Sequence, residues 1–332
     1  MSLDQASSKP HDRLAFALSA DMILVNKLIQ LRMASEHAPR IPEVTAHLVD
    51  AGGKRLRPML TLASAQMCGY TGPYHIHLAA TVEFIHTATL LHDDVVDESA
   101  QRRGRPTANL LWDNQSSVLV GDYLFSRAFQ LMVETGNLRV LDILANASAT
   151  IAEGEVLQLS AAQDLATTEE IYFKVIRGKT AALFAAAMEV GAVIAQQDDK
   201  VVQALCDYGD ALGISFQLVD DLLDYVGTEA IGKSIGDDFR ERKLTLPIIK
   251  AIKLADDNEL VFWKKCIGRG EQQAGDLDLA LAIMHRHHAL EETRKQALFW
   301  ADKAKTALDI MPEHDLKKML IDLSDYVVAR IN

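Results

Sequence analysis

Apolar residues recur at steps of three and four along most of this chain, which is the spacing of one helix face. In the stretch DRLAFALSADMILVNKLIQL, for example, Leu14, Leu18, Met22 and Val25 follow this pattern. Alternation with a period of two, which is typical of strands, is nearly absent. Similar patterns predict helices over residues 56–68, 75–92, 115–135, 138–163, 169–195, 199–225 and 245–256. The sequence therefore predicts an all-α bundle.

The chain has 332 residues, of which 49% are hydrophobic, so it can bury a large core. A chain of this length could form two domains of about 150 residues each, but no Pro-, Gly- or Ser-rich linker divides it. Prolines fall between the periodic segments or in a first helical turn, where a helix tolerates them. These features favour one large domain.

Charge and cysteine content argue against several partners and compartments. The 34 basic and 46 acidic residues give a net charge of −12, which opposes binding to nucleic acid and to anionic membrane surfaces. Cys68, Cys206 and Cys266 offer no zinc spacing and no complete set of disulfides, so we expect reduced thiols in a cytoplasmic protein. The most apolar stretch, residues 180–195, is too short to span a membrane and contains Glu189. The acidic amino terminus does not resemble a signal peptide.

Two acidic pentads, DDVVD at 93–97 and DDLLD at 220–224, each follow an apolar helical run. Their first and fifth aspartates lie four residues apart, so a helix projects both from one face while the second aspartate points elsewhere. Like charges at this spacing destabilise a helix, and carboxylates near its carboxyl end also oppose the dipole. A Mg²⁺ ion offsets both costs, because it prefers oxygen ligands and binds through carboxylates together with substrate phosphates. A single pentad would more often be a solvated helix end, but two copies favour a metal site.

Two other metal sites are less consistent with the sequence. Neither pentad has the alternating acidic residues, central glycine and final glutamate of an EF-hand. His92 and Asp93 could form the HD pair of a metal phosphohydrolase, with His86 or another histidine completing the ligands. That alternative leaves the second pentad unexplained.

Basic residues cluster in GGKRLRP at 52–58 and in RRGR at 102–105, beside glycines that permit close backbone approach. Such groups bind phosphate, and RRGR begins only five residues after the first pentad. Three polar residues, His86, Lys179 and Gln217, also interrupt apolar helices near these motifs. Each would usually be an ordinary core or surface residue. Together they indicate adjacent receptors for metal and anion.

These motifs closely resemble those of the trans-isoprenyl diphosphate synthases, and most closely the bacterial long-chain type that makes octaprenyl to decaprenyl diphosphate. The resemblance rests on GGKRLRP, on DDVVDESAQRRGRPTAN and on DDLLDYVGTEAIGKSIGDDFRERKLTLP. It extends over residues 12–332 and implies one synthase domain after a flexible tail at 1–11. The implied fold is an all-α isoprenoid-synthase bundle around a central elongation cavity, with the two pentad-bearing helices facing each other.

The resemblance also implies the reaction, in which isopentenyl diphosphate is added repeatedly to an allylic diphosphate primer with about three Mg²⁺ ions. The implied metal ligands are Asp93, Asp97, Asp220, Asp221 and Asp224. The residues implied to hold or sense the allylic diphosphate are Arg102, Lys179, Thr180, Gln217, Lys233 and Lys243. Those implied to hold isopentenyl diphosphate are Lys54, Arg57, His86 and Arg103. Among them, Asp93, Asp97, Asp220, Lys179 and Arg102 would carry the catalytic step.

Product length is expected to depend on the residues beneath the first pentad. Short-chain relatives often place an aromatic side chain there, whereas this chain has small residues. We expect a product of about eight to ten isoprene units that is used in a ubiquinone side chain. The residues expected to set its length are Ile85, Ala88 and Thr89 along the helix, with Met132 or Phe129 on the next helix as the floor of the cavity.

Other possibilities remain open at this stage. They are a shorter-chain synthase making geranylgeranyl or farnesyl diphosphate, and a noncatalytic subunit of a heteromeric synthase. Terpene cyclases generally lack a second DDxxD, so the pentad at 220–224 disfavours that class. The resemblance suggests a homodimer, and the apolar product suggests transient membrane contact at its release without a transmembrane segment.

Overall fold

A computed structural model describes residues 9–50, 52–226 and 235–331, and these are almost entirely helical. The helices of the first half are α1 Pro10–Ala17, α2 Ser19–Met33, α3 Arg40–Asp50, α4 Leu56–Met67, α5 Tyr74–Val96, α6 Ala108–Leu111, α7 Asn114–Glu134 and α8 Leu138–Ala161. The remaining helices are α9 Glu169–Ile176, α10 Ala182–Ile194, α11 Asp199–Val226, α12 Asp237–Arg240, α13 Leu246–Leu254, α14 Asp257–Trp263, α15 Asp276–Arg286, α16 Ala289–Ala307 and α17 Asp315–Ala329. The predicted all-α class is confirmed.

The described chain separates into two compact units. Unit 1 contains residues 9–148, 186–206 and 311–319, and unit 2 contains the rest of the described residues. Neither unit is contiguous in sequence. The expected boundary between a tail and a single synthase domain stays a prediction, although α1 already begins at Pro10.

The core of unit 1 is built on α5, which packs against α2, α4 and α7. This helix is apolar on nearly all sides, and such a helix is stable only when surrounded by protein. Its buried residues run from Ile76 to Leu91 with few interruptions, and Phe84 and Ile85 are essentially inaccessible to solvent. Burial holds the last turn of α5, which carries the first pentad, in a fixed place.

The core of unit 2 contains an aromatic cluster and a close helix contact. Trp263 is fully buried and lies edge-on to Phe239 and Phe262. On α11, a Cβ atom at Gly213 would lie 2.6 Å from the Cα of Ala181, so only glycine allows this approach. The contact fixes α11, which carries the second pentad, against the segment before α10.

That segment is a π-helical turn, Arg177–Ala181, and it joins α9 to α10. The sequence predicted one helix over 169–195, and the π turn is the local departure from it. Most ends of the other predicted helices agree with the structure to within about two residues, but α5 continues to Val96, four residues beyond its predicted end at 92. Among the cysteines, Cys266 is buried, while Cys68 and Cys206 are partly exposed, and all are free thiols. Within the described ranges, no single helix is long and apolar enough to cross a membrane. Only α1 and α2 taken together, bent by 77°, meet that requirement.

Candidate active site

The first pentad lies at the carboxyl end of α5. Asp97 is the residue that ends the helix, and its backbone N–H donates to the carbonyl of Asp93 at 2.8 Å. The two aspartates therefore lie one turn apart, as the four-residue spacing predicts. Asp93 is half-buried and Asp97 is exposed. Asp94, in contrast, is completely buried.

A short antiparallel hairpin brings the RRGR motif back to this helix end. Its strands are β1 Gln101–Arg102 and β2 Arg105–Pro106. The two turn residues, Arg103 and Gly104, have φ angles of 54° and 74°, in the left-handed region that tight two-residue hairpins require. The sequence pattern predicted neither a helix nor a strand here. The hairpin fixes the direction in which each arginine points.

Arg102 is held by the buried aspartate of the pentad. Its Nε and Nη2 atoms both donate to Asp94 Oδ1, each at 2.8 Å. Asp94 Oδ2 is buried and meets no donor among the described residues. Because a buried carboxylate is costly without a cation, Asp94 and Arg102 stabilise each other. Asp94 therefore positions the arginine that the sequence assigned to the allylic diphosphate.

A basic pocket in unit 1 adjoins this pair. Arg102 and Arg103 line it together with Arg55, Glu83 and His47. Arg103 also covers Gly53, where an added Cβ would lie 2.7 Å from Arg103 Nη1. Glycine at this position thus leaves room for the guanidinium. The two basic motifs, 50 residues apart, meet here.

Further charged residues surround the pocket. Arg55 pairs with the carboxylate of Glu83, and Arg57 Nη1 lies 3.3 Å from His86 Nε2. Lys54 is exposed on the loop before α4. The structure thus brings Arg57 and His86 into contact, and the charge of Arg103 acts on both. Sequence reasoning missed Arg55, which directly precedes α4, and the buried Glu83.

Burial and like charges determine the ionisation of this cluster. The pKa of Arg57 is lowered to about 10, chiefly by burial; Glu83 opposes this shift and Arg103 adds to it. Burial raises the pKa of Glu83, although Arg55 and Arg57 offset the effect. Burial, followed by the charge of Arg57, holds the pKa of His86 well below its usual value. The cluster contains more cations than anions, which suits an anionic ligand.

Neutral His86 makes a specific contribution to pH dependence. Its pKa is lower in the folded than in the unfolded state, so the unfolded state takes up a proton first as the pH falls below 6.5. Stability should then fall by about 1.4 kcal/mol per pH unit until folded His86 is protonated. Thermal unfolding measured between pH 7.5 and 5 should show that the stability of His86→Gln falls less steeply with decreasing pH than that of wild type. Equal slopes would contradict a neutral buried His86.

The second pentad lies near the end of α11 in unit 2, and each aspartate has a different partner. Asp220 pairs with Arg330 at 3.2 Å. Asp221 is buried and accepts hydrogen bonds from Tyr172 at 2.5 Å and from Gln217 Nε2 at 2.8 Å. Asp224 accepts the backbone N–H groups of α12 at its first two residues, at 3.2 and 3.0 Å. The pentad is thereby connected to three separate elements.

Burial distinguishes Asp221 from the other aspartates of the pentad. It raises the pKa of Asp221, and the neighbouring Asp220 and Asp224 raise it further. Asp238 is a second buried acid here, and its pKa is raised first by burial and then by Asp221 and Asp224. Sequence reasoning missed Asp238 and Tyr172. Asp238 could have been noticed, because it lies in the quoted motif as part of IGDDFRER.

The π turn carries Lys179 and Thr180 into the same network. Thr180 Oγ1 donates to Gln217 Oε1 at 2.8 Å, so the Gln217 amide is fixed at both ends. Lys179 Nζ lies 3.3 Å from Glu155 on α8. The close approach of Gly178 to Gly154, where a Cβ would lie 2.9 Å from the facing Cα, makes this contact possible. π turns in helices often mark functional sites.

The remaining predicted residues have mixed placements. Lys243 lies 2.5 Å from Glu241 and lowers the pKa of Asp238. Lys233 lies outside the described residues. The expected chain-length residues Ile85, Ala88 and Met132 are buried in unit 1, and Thr89 is half-buried, with its hydroxyl donating to the His86 carbonyl. Phe129 is 43% exposed, which disfavours it as a cavity floor.

Both pentads offer oxygen donors suited to a hard divalent cation. No group of three or more acidic, histidine or cysteine side chains forms a ready metal site within residues 9–50, 52–226 and 235–331. Mg²⁺ typically takes one or two carboxylates and completes its shell with water and substrate phosphate. The donor sets of the pentads are therefore compatible with the predicted metal.

Comparison with known families decides the assignment. The Polyprenyl synthetase family model matches residues 38–284, which include both pentads and both basic motifs. This chain belongs to the polyprenyl synthetase family. The family assignment confirms the sequence-based prediction of a prenyltransferase.

Individual members of this family resemble the chain over nearly its whole length. Octaprenyl diphosphate synthase of Haemophilus influenzae is 43% identical over 311 residues, covering 93% of this chain and 94% of the relative. The crystal structure of a decaprenyl diphosphate synthase from Rhodobacter capsulatus has a TM-score of 0.95 at 70% identity, covering 97% of this chain and 99% of that one. A polyprenyl synthase from Caulobacter crescentus, complexed with calcium and isoprenyl diphosphate, has a TM-score of 0.91 at 50% identity, with coverage of 97% and 98%.

Proposed function

We propose that this polyprenyl synthetase is a Mg²⁺-dependent trans-polyprenyl diphosphate synthase that makes a product of about C40–C50. The observation that carries the proposal is the junction of the first pentad with the basic pocket, where Asp94 holds Arg102 at the pocket wall. A metal-binding helix end and an anion receptor are adjacent there. The octaprenyl and decaprenyl relatives support the long product.

Asp93 and Asp97 would hold two Mg²⁺ ions, and Asp220 would hold a third with support from Asp224. When bound, Mg²⁺ neutralises the charge that develops on the diphosphate oxygens as the allylic C–O bond breaks. The two oxygens of Asp221 already accept hydrogen bonds from Tyr172 and Gln217. We therefore assign Asp221 chiefly to positioning Gln217. The Caulobacter crescentus structure contains calcium, which supports divalent-metal binding in this family.

The side chains would then orient two diphosphates. Arg102, Lys179, Thr180, Gln217, Lys233 and Lys243 would hold the allylic diphosphate, and Lys54, Arg57, His86 and Arg103 would hold isopentenyl diphosphate. The allylic carbon loses its diphosphate and becomes cationic. The isopentenyl double bond then attacks this carbon and forms the new C–C bond. A proton is then lost from the isopentenyl unit to the departed diphosphate, which restores a double bond. No protein nucleophile is needed, so catalysis depends on positioning and electrostatics.

Product analysis tests the proposal directly. The purified chain is supplied with Mg²⁺, an allylic diphosphate and labelled isopentenyl diphosphate, and the products are measured by mass spectrometry. We expect diphosphate release and a product of eight to ten isoprene units. A product of three or four units would establish the shorter-chain alternative. Absence of diphosphate release would favour a noncatalytic subunit.

Ala88 allows a sharper test of product length. It is buried on α5, five residues before Asp93, and a larger side chain there would narrow a cavity that passes beneath the pentad. Ala88→Phe should shorten the product by several isoprene units while condensation continues. Ala88→Ser, which keeps the small volume, is the control. Products of unchanged length from a folded Ala88→Phe protein would place the wall elsewhere.

Three further properties belong to the proposal. We propose that the enzyme acts in the cytoplasm as a homodimer, and that its product serves a ubiquinone side chain. The strongly apolar product would be released during transient contact with a membrane. Light scattering measures the assembly, and incorporation of the labelled product into quinone measures its use.

A further inference from the structure

Arg330, close to the carboxyl end of the chain, contacts the first aspartate of the second pentad. Its Nη2 atom lies 3.2 Å from Asp220 Oδ1. Its guanidinium also lies over the ring of Phe216, 5.7 Å from the centroid. Phe216 and Asp220 are one helical turn apart on α11, so they share a face. The arginine is held between an aromatic ring and a carboxylate.

Arg330 directly follows the last residue of α17, and the structure that leads up to it is packed within unit 2. The hydroxyl of Tyr208 on α11 donates a hydrogen bond to the carbonyl of Leu320 at 2.9 Å, and both residues are buried. Val327 and Val328, just before Arg330, are also buried. The guanidinium is therefore presented to Asp220 by packed structure rather than by a mobile terminus.

The contact leaves part of the guanidinium unsatisfied. Arg330 Nη1 is buried and has no acceptor among the described residues. A buried N–H donor without an acceptor is costly, and guanidinium groups are well suited to phosphate oxygens. Asp220 itself is 35% exposed, so a ligand can reach the pair.

We propose that Arg330 is a further anion-binding residue of the second pentad, acting on the diphosphate that Asp220 holds through its metal. This inference rests on the proposed function. Arg330 and a cation bound to Asp220 repel each other, so Arg330 weakens binding of the metal alone. A diphosphate between them reverses the effect of Arg330 on metal binding, because the diphosphate oxygens accept hydrogen bonds from Arg330. Arg330 thus favours the metal together with diphosphate over the metal alone.

Titration with Mn²⁺, followed by electron paramagnetic resonance, tests this inference with and without inorganic pyrophosphate. Relative to wild type, Arg330→Met should bind Mn²⁺ alone at least about threefold more tightly. It should bind Mn²⁺ at least about threefold more weakly when pyrophosphate is present. Arg330→Lys keeps the positive charge, so it should bind Mn²⁺ alone as wild type does. With pyrophosphate present, it should bind Mn²⁺ more weakly than wild type but more tightly than Arg330→Met. Arg269→Met removes a surface arginine that pairs with Glu271, and should change neither titration.

Shifts of the same sign in both titrations, or no shift in either, would overturn the role of Arg330. If Arg330→Met does not fold, the comparison of Arg330→Lys with wild type decides, since loss of the planar fork should weaken only the pyrophosphate titration. Failure of the proposed function is separate, because it appears as wild-type protein that makes no polyprenyl product. If Arg330→Met shifts the Mn²⁺ affinity of such a protein in opposite directions with and without pyrophosphate, diphosphate binding by Arg330 is still supported.

Discussion

Replacing Asp93 or Asp220 with alanine should lower turnover by about a thousandfold or more, since each change removes a carboxylate assigned to metal binding. The fold should survive both changes. Asp93 is half-buried at a helix end, Asp220 is partly exposed, and each lies four residues from a like charge. Steady-state condensation rates at saturating substrates measure the loss, and circular dichroism with thermal unfolding checks the fold.

A matched control separates metal binding from general loss of charge. Asp199 is largely exposed and pairs with Arg139 at the surface, so Asp199→Ala should retain wild-type turnover. A higher Mg²⁺ concentration should partly restore the turnover of Asp93→Ala or Asp220→Ala if the remaining ligands still bind the metal weakly. Wild-type turnover in either pentad variant would remove that aspartate from the proposed metal set.

The helices and the pentads could be predicted because their signals are local. The 3.6-residue periodicity of apolar residues places both ends of α11 and the start of α5 to within about two residues, and it ends α5 four residues too early. The same periodicity puts Asp93 with Asp97 on one face, and buries Asp94 behind them. A period of this kind depends only on neighbouring residues, so the sequence contains it directly.

The partners that hold these residues could not be predicted in the same way. Tyr172 reaches Asp221 across 49 residues, and Arg330 reaches Asp220 across 110. Such contacts depend on how helices pack, which no short pattern specifies. The hairpin at Arg103 and Gly104 was missed for another reason, since its two strands of two residues are too short to alternate visibly.

Glu83 illustrates the same limit within a helix. It lies in the apolar run of α5, where its position alone gives no reason for an acid. The structure supplies the reason, because Arg55, Arg57 and Arg103 act on its carboxylate from other segments. Sequence patterns thus pointed to the cations of this cluster, but not to the anion that keeps them together.

Arg57→Met should lose most affinity for isopentenyl diphosphate without losing stability. Charge-assisted hydrogen bonds to a phosphate are worth about 1.5–3 kcal/mol, so KM for isopentenyl diphosphate should rise by about 10- to 100-fold. The maximal rate and the KM for the allylic substrate should change much less. Initial rates at varied concentrations of each substrate measure this difference.

Stability should not fall together with binding, because burial makes the charge of Arg57 costly and Arg103 adds to this cost. Its pKa is lowered to about 10 in the folded protein, so the charged form opposes folding at every pH below that value. Removing the charge should leave the midpoint of thermal unfolding unchanged or raise it by about 2–4 °C. Arg139→Met, which removes a surface cation paired with Asp199, provides the control for both measurements. A lower midpoint together with an unchanged KM would mean that Arg57 supports the fold rather than the substrate. The expected combination, in which binding is lost while stability is kept, is characteristic of charges gathered for a ligand.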